Sequence, residues 1–360
     1  MTTADIAPDP DASRVGPETM RAIVQNDYGT DPGRVLHLEE VARPVISDDE
    51  VLVQVAAASV DMGTWHCMTG MPYAMRLAGF GVRSPKASNP GRALAGTVDS
   101  VGKNVTRFRV GDTVYGTGDG SFAEYARVEA SKLATKPANL SFEQAAASPI
   151  SGVTALQAIR KTKVEAGHKV LIIGASGGVG SFAVQVAKAS GAEVTGVCST
   201  AKTDLVRALG ADHVIDYEHD DLADGEHRYD AIVDLGGNSR LSRLRRALAP
   251  KGTLVIVGGE TGGRWLGGFD RSPRAVLLSP FVSHKPTMLA STENSGPHRP
   301  RRAHRVRTRD AGDRPHLLVE RHCGRDRIRA RGTRPREGRH RLVSETAGSG
   351  VANPRGHSES

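Results

Sequence analysis

The sequence predicts an α/β protein with two domains, because the pattern of apolar residues changes once along the chain. From Met20 to about residue 144, short apolar segments are separated by Gly and Pro, which is typical of strands joined by turns. Beyond that point, strands that are apolar throughout alternate with helices, and this order indicates a parallel sheet covered on both faces. The 360 residues allow each domain its own core.

The individual elements follow from this division. In the first domain, 20–144, strands are predicted at residues 21–25, 51–55, 95–101 and 113–116. A helix over 142–159, broken near Pro149, leads into the second domain, 145–295. There, strands are predicted at 169–173, 193–197, 213–215, 231–234, 253–257 and 286–291, and helices at 180–190, 202–209, 241–248 and 274–278. Residues 1–19 have no apolar period and are predicted to be a disordered leader.

The excess of basic residues is confined to residues 296–360. These hold 17 Arg and 7 Asp or Glu, a net charge of +10, whereas the other 295 residues hold 31 basic and 33 acidic side chains. The tail has no aromatic residue and only eight Val, Leu or Ile residues, so we expect it to be disordered. The charge therefore does not indicate a folded nucleic-acid interface, although DNA binding through the tail alone stays an alternative.

The cysteine pattern and the lengths of the apolar runs indicate the cellular compartment of the protein. Cys67, Cys198 and Cys323 are odd in number and far apart, which argues against a disulfide framework and against a four-cysteine zinc site. No apolar run approaches the roughly 20 residues that a membrane helix needs, and no secretory signal precedes Met20. We expect a cytoplasmic protein without a membrane partner.

The most informative motif is a glycine-rich turn between a predicted strand and a predicted helix. Gly174, Gly177 and Gly180 are spaced three apart between the apolar strand 169–173 and the helix that follows. Glycine allows the backbone to approach an anion, and a helix N-terminus offers free N–H groups and a partial positive charge. This βαβ context predicts a dinucleotide diphosphate at the turn, and the alternative is a turn without a ligand. The predicted binding residues there are Gly174, Ser176, Gly177, Gly178, Val179 and Gly180.

The end of the next strand indicates which dinucleotide is preferred. An acidic residue at this position would hold the ribose hydroxyl of NAD, but here Ser199, Thr200 and Lys202 follow the strand. Two hydroxyls and an ammonium suit a 2′-phosphate, and we expect no carboxylate to repel it. NADPH is therefore the predicted cofactor, with a plain helix cap by Ser199 and Thr200 as the alternative.

Several further stretches accompany the glycine turn. They are NPGRALAGTV at 89–98, RVGDTVYG at 109–116, GSFAEY at 120–125, SGVTALQA at 151–158, ALGADHVIDY at 208–217, YDAIVDLGG at 229–237 and GTLVIVGG at 252–259. Together, and in this order, they make residues 20–295 resemble the medium-chain dehydrogenase/reductase family, in its zinc-independent branch of quinone oxidoreductases and NADP-dependent alcohol dehydrogenases. The resemblance implies a chaperonin-10-like β domain, a Rossmann domain with a doubly wound parallel sheet, and hydride transfer in the cleft between them.

The resemblance also bears on metal binding. Zinc-dependent members hold their catalytic metal with Cys, His-Glu and Cys, and the corresponding positions here resemble Asp61, Arg92-Ala93 and Ser151. A single carboxylate beside an arginine does not supply the three or four ligands that zinc requires, so no metal is expected. Arg92 could pair with a substrate oxyanion, and the alternative is a structural arginine.

The resemblance implies further site residues. His66 aligns with a proton-relay position, with Asp61 and Thr64 nearby, and its alternative is structural packing beside Trp65. Cofactor contacts are implied for Thr154, Gly258, Gly259 and Tyr217, and the last two are equally readable as parts of plain turns. Relatives often dimerise through the last Rossmann strand, here near 286–291, so the resemblance is compatible with a homodimer, and the oligomeric state stays open.

The family resemblance stops near Ser295. Residues 313–323 can be encoded so that a shift of one nucleotide gives Ile-Asp-Arg-Thr-Tyr-Ser-Leu-Ser, a segment resembling the one the family normally carries. We therefore interpret 296–360 as the product of a frameshift. The predicted function is zinc-independent reduction of a quinone, enone, aldehyde or ketone with NADPH. The alternative is a catalytically impaired, NADP-binding relative with a damaged C-terminus.

Overall fold

The computed structural model describes residues 18–222, 227–237, 239–258 and 263–265, together with the backbone of residues 285–288. The leader before residue 18, the helix predicted at 274–278 and the tail 296–360 lie outside the described residues.

The first domain is built mainly from antiparallel strands. Its described strands are β1 (Thr19–Gln25), β2 (Leu36–Ala42), β3 (Glu50–Ser59), β4 (Ala93–Val101), β5 (Thr113–Thr117), β6 (Tyr125–Glu129) and β7 (Leu133–Thr135). Five of them form one sheet in the order β6-β3-β4-β5-β7, and β1 pairs with β2. The core contains Val53, Leu94 and Val114, none of which has solvent-exposed surface. The prediction of a β-rich first half is confirmed.

The second domain is built around a parallel sheet. Its strands are β8 (Lys169–Ile173), β9 (Glu193–Cys198), β10 (His213–Asp216), β11 (Tyr229–Asp234), β12 (Leu248–Ile256) and β13 (Lys285–Met288). They lie in the order β10-β9-β8-β11-β12-β13 and all pairs are parallel. This is the doubly wound order, in which strand order reverses beside the central β8. The predicted Rossmann sheet is confirmed.

The described helices connect and cover these sheets. They are α1 (Pro32–Val35), α2 (Met62–Thr69), α3 (Tyr73–Met75), α4 (Phe142–Thr162), α5 (Gly178–Ala189), α6 (Thr203–Ala208) and α7 (Leu241–Ala247). A π-helical turn follows α3 at Arg76–Phe80, and a 3₁₀ turn at Thr200–Lys202 precedes α6. In the Rossmann domain, α5, α6 and α7 follow the strands that the sequence pattern assigns to them.

Helix α4 is continuous, so the predicted break near Pro149 is wrong. Proline lacks the N–H group that would bond to the carbonyl of Ala145 four residues earlier. The hydroxyl of Ser148 donates to that same carbonyl oxygen at 2.9 Å, which supplies the missing donor. The helix packs on β3, β4 and β5 of the first sheet and on α5, β11 and β12 of the second domain. It therefore joins the two domains through a single element.

The start of α4 is fixed by a capping box, which gives a stability prediction. The hydroxyl of Ser141 accepts from the N–H of Gln144 at 3.2 Å, and the Gln144 side chain accepts from the N–H of Ser141 at 3.0 Å. We expect Ser141→Ala to lower the free energy of unfolding by about 1 kcal/mol, because first-turn N–H groups lose their acceptor. Urea denaturation followed by circular dichroism measures this change.

The matched control is Ser131→Ala, which removes an exposed hydroxyl bonded only to the Glu129 side chain among the described hydrogen bonds. This control should shift stability by less than about 0.5 kcal/mol. Equal effects of the two substitutions would contradict a capping role for Ser141.

Candidate active site

The glycine-rich turn connects β8 to α5 at the centre of the parallel sheet. Gly174 has a φ of +81°, a conformation that favours glycine. Its N–H and that of Ala175 donate to the carbonyl of Val197 at 3.1 and 3.0 Å, which ties the turn to β9. Gly177 is the N-cap of α5 and has no side chain to accept from the first-turn N–H groups. A helix N-terminus in this state is suited to bind an anion.

Helix α5 approaches the turn too closely to carry a side chain at one position. A Cβ built on Gly180 would lie 2.0 Å from the carbonyl oxygen of Gly174 and 2.9 Å from the carbonyl carbon of Ala175. A Cβ on Gly178 would lie 3.1 Å from the hydroxyl oxygen of Ser151 on α4. Helix α5 can therefore pack against the turn and against α4 only because these positions carry no side chain.

The structure gathers most of the predicted cofactor residues along the carboxyl edge of the sheet. Thr154 on α4 is buried, and its hydroxyl donates to the carbonyl of Ile150 at 2.7 Å. Gly258 follows β12, and a Cβ there would lie 2.9 Å from the carbonyl oxygen of Leu235 at the end of β11. This edge, beside the reversal of strand order, is where doubly wound sheets bind ligands. Ser176 lies in the turn itself, Val179 lies in the first turn of α5, and Gly259 lies outside the described residues.

The far end of this edge departs from the sequence expectation. Thr200 follows β9, and its hydroxyl donates to a carboxylate oxygen of Asp216 and, at 2.8 Å, to one of Glu218. The expectation that no carboxylate repels a 2′-phosphate at this position is therefore wrong. The end of β10 lies beside the end of β9, and two carboxylates next to it contact Thr200. The hydrogen bond from Thr200 holds the pKa of Asp216 below its usual range, so this carboxylate is charged at neutral pH.

Other predicted residues at the same end have distinct surroundings. Ser199 and Lys202 are half-buried, and Tyr217 is exposed, with its backbone N–H donating to the carbonyl of Cys198 at 3.1 Å. Asp216, Glu218 and His219 also bring ligand atoms within 4.8 Å of one another. Among the described residues, this group has the spacing to hold a metal, and it lies away from the three positions where zinc-dependent relatives hold theirs.

The predicted catalytic residues lie on α2 or at its start. Asp61 is the N-cap, and its Oδ1 accepts from the N–H of Thr64 at 2.9 Å, while its Oδ2 is buried without a hydrogen-bond partner among the described atoms. Thr64 is buried. The Nδ1 of His66 lies 2.7 Å from the carbonyl oxygen of Met71. The structure thus brings Asp61, Thr64 and His66 to one short helix.

Cys67 is a neighbour of Arg92 that the sequence spacing does not reveal. The thiol forms a side-chain hydrogen bond with Arg92, and Asp61 and Asp119 contribute to the field around it. Burial raises the pKa of the Cys67 thiol, and the positive charge of Arg92 offsets this in part. The side chain of Arg92, at a position that resembles a ligand position of zinc-dependent relatives, is therefore engaged by Cys67.

Comparison with known proteins places these features in a family. Residues 47–138 match the alcohol dehydrogenase GroES-like domain, and residues 178–299 match the zinc-binding dehydrogenase domain. Human quinone oxidoreductase is 30% identical over 296 residues, which cover 77% of this chain and 83% of the human protein. The chain belongs to the quinone oxidoreductase branch of the medium-chain dehydrogenase/reductase family.

Relatives named for other reductase activities are also similar in sequence. A 2-methylene-furan-3-one reductase from Solanum lycopersicum is 34% identical over 257 residues, which cover 68% of this chain and 63% of that protein. An NADPH-dependent alkenal/one oxidoreductase from Arabidopsis thaliana is 36% identical over 265 residues, which cover 67% and 66%. This chain therefore spans just under two thirds of the length of these two plant proteins.

Solved structures agree with the fold. The quinone oxidoreductase from Coxiella burnetii superposes with a TM-score of 0.64 at 28% identity, covering 77% of this chain and 84% of that one. The Escherichia coli quinone oxidoreductase complexed with NADPH gives a TM-score of 0.62 at 28% identity, covering 76% of this chain and 81% of that one.

None of the helices in the described ranges combines the length and apolar character that a bilayer crossing requires.

The tight packing at Gly180 gives a prediction for the turn. Gly180→Ala should lower the free energy of unfolding by about 1–3 kcal/mol, because the added methyl must displace backbone rather than a flexible side chain. Thermal or urea unfolding measures the loss. Gly33→Ala is the control, since its Cβ would meet only the Asp31 carboxylate at 3.4 Å. A Gly180 variant as stable as this control would show that α5 can move away from the turn.

Proposed function

We propose that this protein reduces quinones and α,β-unsaturated carbonyl compounds with NADPH and without zinc. The observation that carries the proposal is the glycine turn at the carboxyl edge of β8. Gly177, the N-cap of α5, has no side chain to accept from the first-turn N–H groups, and Gly180 lets the helix pack directly against the turn. The activities for which the human, tomato and Arabidopsis relatives are named support reduction of conjugated carbonyl compounds.

Preference for NADPH is part of the proposal. The Arabidopsis relative is named NADPH-dependent, and the E. coli structure is described as complexed with NADPH. In this chain, Ser199, Thr200 and Lys202 supply two hydroxyls and an ammonium for a 2′-phosphate. Asp216 and Glu218, at the end of the neighbouring strand, would repel that phosphate. The difference in affinity between NADPH and NADH should therefore be smaller than Ser199, Thr200 and Lys202 alone indicate.

The chain's own residues would position the reactants and move one proton. Bound NADPH supplies the hydride. The first-turn N–H groups of α5 would hold its diphosphate, and its ring would lie near Gly258 at the ends of β11 and β12. Arg92 brings a positive charge to Cys67 on α2, where negative charge on a substrate oxygen would be stabilised.

His66 is proposed to deliver the proton. A carbonyl oxygen only accepts, so the bond to Met71 requires the proton on Nδ1. In the neutral ring, Nε2 is therefore an acceptor, and it donates only when the ring is charged. Asp61 and Thr64 fix the start of the same helix and act as positioning residues.

Cofactor binding and turnover by the full-length chain test the proposed function. NADPH should bind more tightly than NADH in isothermal titration calorimetry, and NADPH oxidation should depend on an added quinone or enone. Because no zinc is required, dialysis against a chelator should leave the rate unchanged. Failure to bind either nucleotide would refute the proposal.

A second outcome identifies the alternative function. NADPH binding without oxidation across a panel of quinones, enones and aldehydes would identify a catalytically impaired NADP-binding protein. Resequencing the gene across codon 295 would show whether the reading frame is broken.

The cytoplasmic location and the homodimer stay predictions.

The proton-transfer role of His66 predicts the effect of one substitution. His66→Asn should lower kcat by at least about tenfold, because the amide can keep the bond to Met71 but cannot transfer a proton. The measurements are kcat for quinone reduction and the Kd for NADPH, which should stay unchanged. His37→Asn, which changes an exposed histidine on β2, is the matched control. A kcat in the His66 variant equal to that of the wild-type protein would exclude the relay.

A further inference from the structure

Two segments from different domains meet beside α2. The backbone N–H of Tyr73 donates to the carbonyl of Arg264 at 2.8 Å, and that of Ala74 donates to the carbonyl of Trp265 at 3.1 Å. The rings of Tyr73 and Trp265 pack edge to face, with centroids 5.5 Å apart and planes at 80°. We call this pair the aromatic wall. It links the segment after α2 to the segment after β12.

Other contacts fix Tyr73 in place. The guanidinium of Arg76 lies over the ring of Tyr73 at 4.9 Å and over the ring of Tyr28 at 4.2 Å. Arg76 also donates from Nε to the carbonyl of Gly70 at 2.8 Å, and the Tyr28 hydroxyl donates to the carbonyl of Phe80 at 2.7 Å. Tyr73 is therefore held by a connected set of contacts, and it can serve as a rigid support for the indole.

The aromatic wall adjoins the segment that follows the proposed proton donor. Tyr73 lies two residues after Met71, whose carbonyl oxygen is 2.7 Å from Nδ1 of His66. The ring contact between Trp265 and Tyr73 therefore places the indole beside the segment that follows α2.

The indole is unusually open to solvent for a side chain in such a contact. Trp265 is 69% exposed, and Leu77 and Val82, in the segment that follows Tyr73, are 75% and 62% exposed. Exposed apolar side chains of this size are available to contact an apolar ligand. An exposed aromatic face gains most from a second flat, conjugated ring, which stacks on it with an offset.

We propose that Trp265, supported by Tyr73, is a specificity-determining residue on which the ring of a planar conjugated substrate stacks. This inference rests on the proposed reductase function and narrows its substrate class to bicyclic quinones and similar flat enones. A small acyclic enal lacks the ring area to stack, and the wall contributes little to its binding. The aromatic wall should therefore lower the KM of ring substrates, whereas the rate of the chemical step depends on the cofactor and on the residues of α2.

The experiment compares menadione, a planar bicyclic quinone, with crotonaldehyde, a small acyclic enal. Trp265→Ala should raise KM for menadione by about three- to tenfold, the range expected for loss of one aromatic contact. KM for crotonaldehyde and the Kd for NADPH should change by less than about twofold. Trp265→Phe should restore most of the menadione affinity. Val110→Ala, which removes an exposed side chain (67%) elsewhere in the β domain, is the matched control.

A binding readout keeps this inference separate from the proposed activity. The chain has two tryptophans, Trp65 and Trp265, and menadione bound at the wall should quench a component of the emission that Trp265→Phe removes. If the wild-type chain turns over neither substrate, the proposed function fails, and the menadione Kd from quenching still tests the wall. An equal KM rise for both substrates, or an unchanged menadione Kd in Trp265→Ala, would overturn the inference.

Discussion

The organisation of the site depends on how closely α5 approaches the turn after β8. The helix can start where it does only because Gly180 has no side chain to collide with the carbonyl of Gly174. That position directs the N-terminus of α5 at the carboxyl edge of the sheet, beside the reversal of strand order. A helix displaced by even a methyl group would move its free N–H groups away from the anion they are suited to bind. The remaining parts of the site are arranged around this fixed point.

Charges at the end of β9 would act on the proposed cofactor in opposite directions. Lys202 would attract a 2′-phosphate, whereas Asp216 and Glu218, both bonded to the hydroxyl of Thr200, would repel it. Because Glu218 is exposed and Asp216 is half-buried, salt should screen this repulsion more than it would in a fully buried site. On the proposed function, a preference between the two nicotinamide dinucleotides would therefore depend on several weak interactions rather than on one residue.

The Rossmann half could be predicted almost element by element, because its buried strands are continuous apolar runs such as 169–173, interrupted by glycine turns. The strands of the β domain were harder to predict from the sequence. Strand β2 is mostly exposed and shows no alternation, and β7 has three residues, so neither has a signal of its own. At the site, the turn followed from local spacing. The contacts of Thr200 with Asp216, of Cys67 with Arg92 and of Tyr73 with Trp265 join residues distant in sequence, and no local pattern encodes them.

The placement of α4 has a consequence for how the molecule comes apart. One helix lies on β3, β4 and β5 and also on α5, β11 and β12, so neither core can lose it without exposing apolar surface in the other. Unfolding of the two halves is thereby coupled, and denaturation should proceed as one cooperative transition instead of two independent ones. Damage that loosens the β domain would for the same reason weaken the sheet that holds the nucleotide turn.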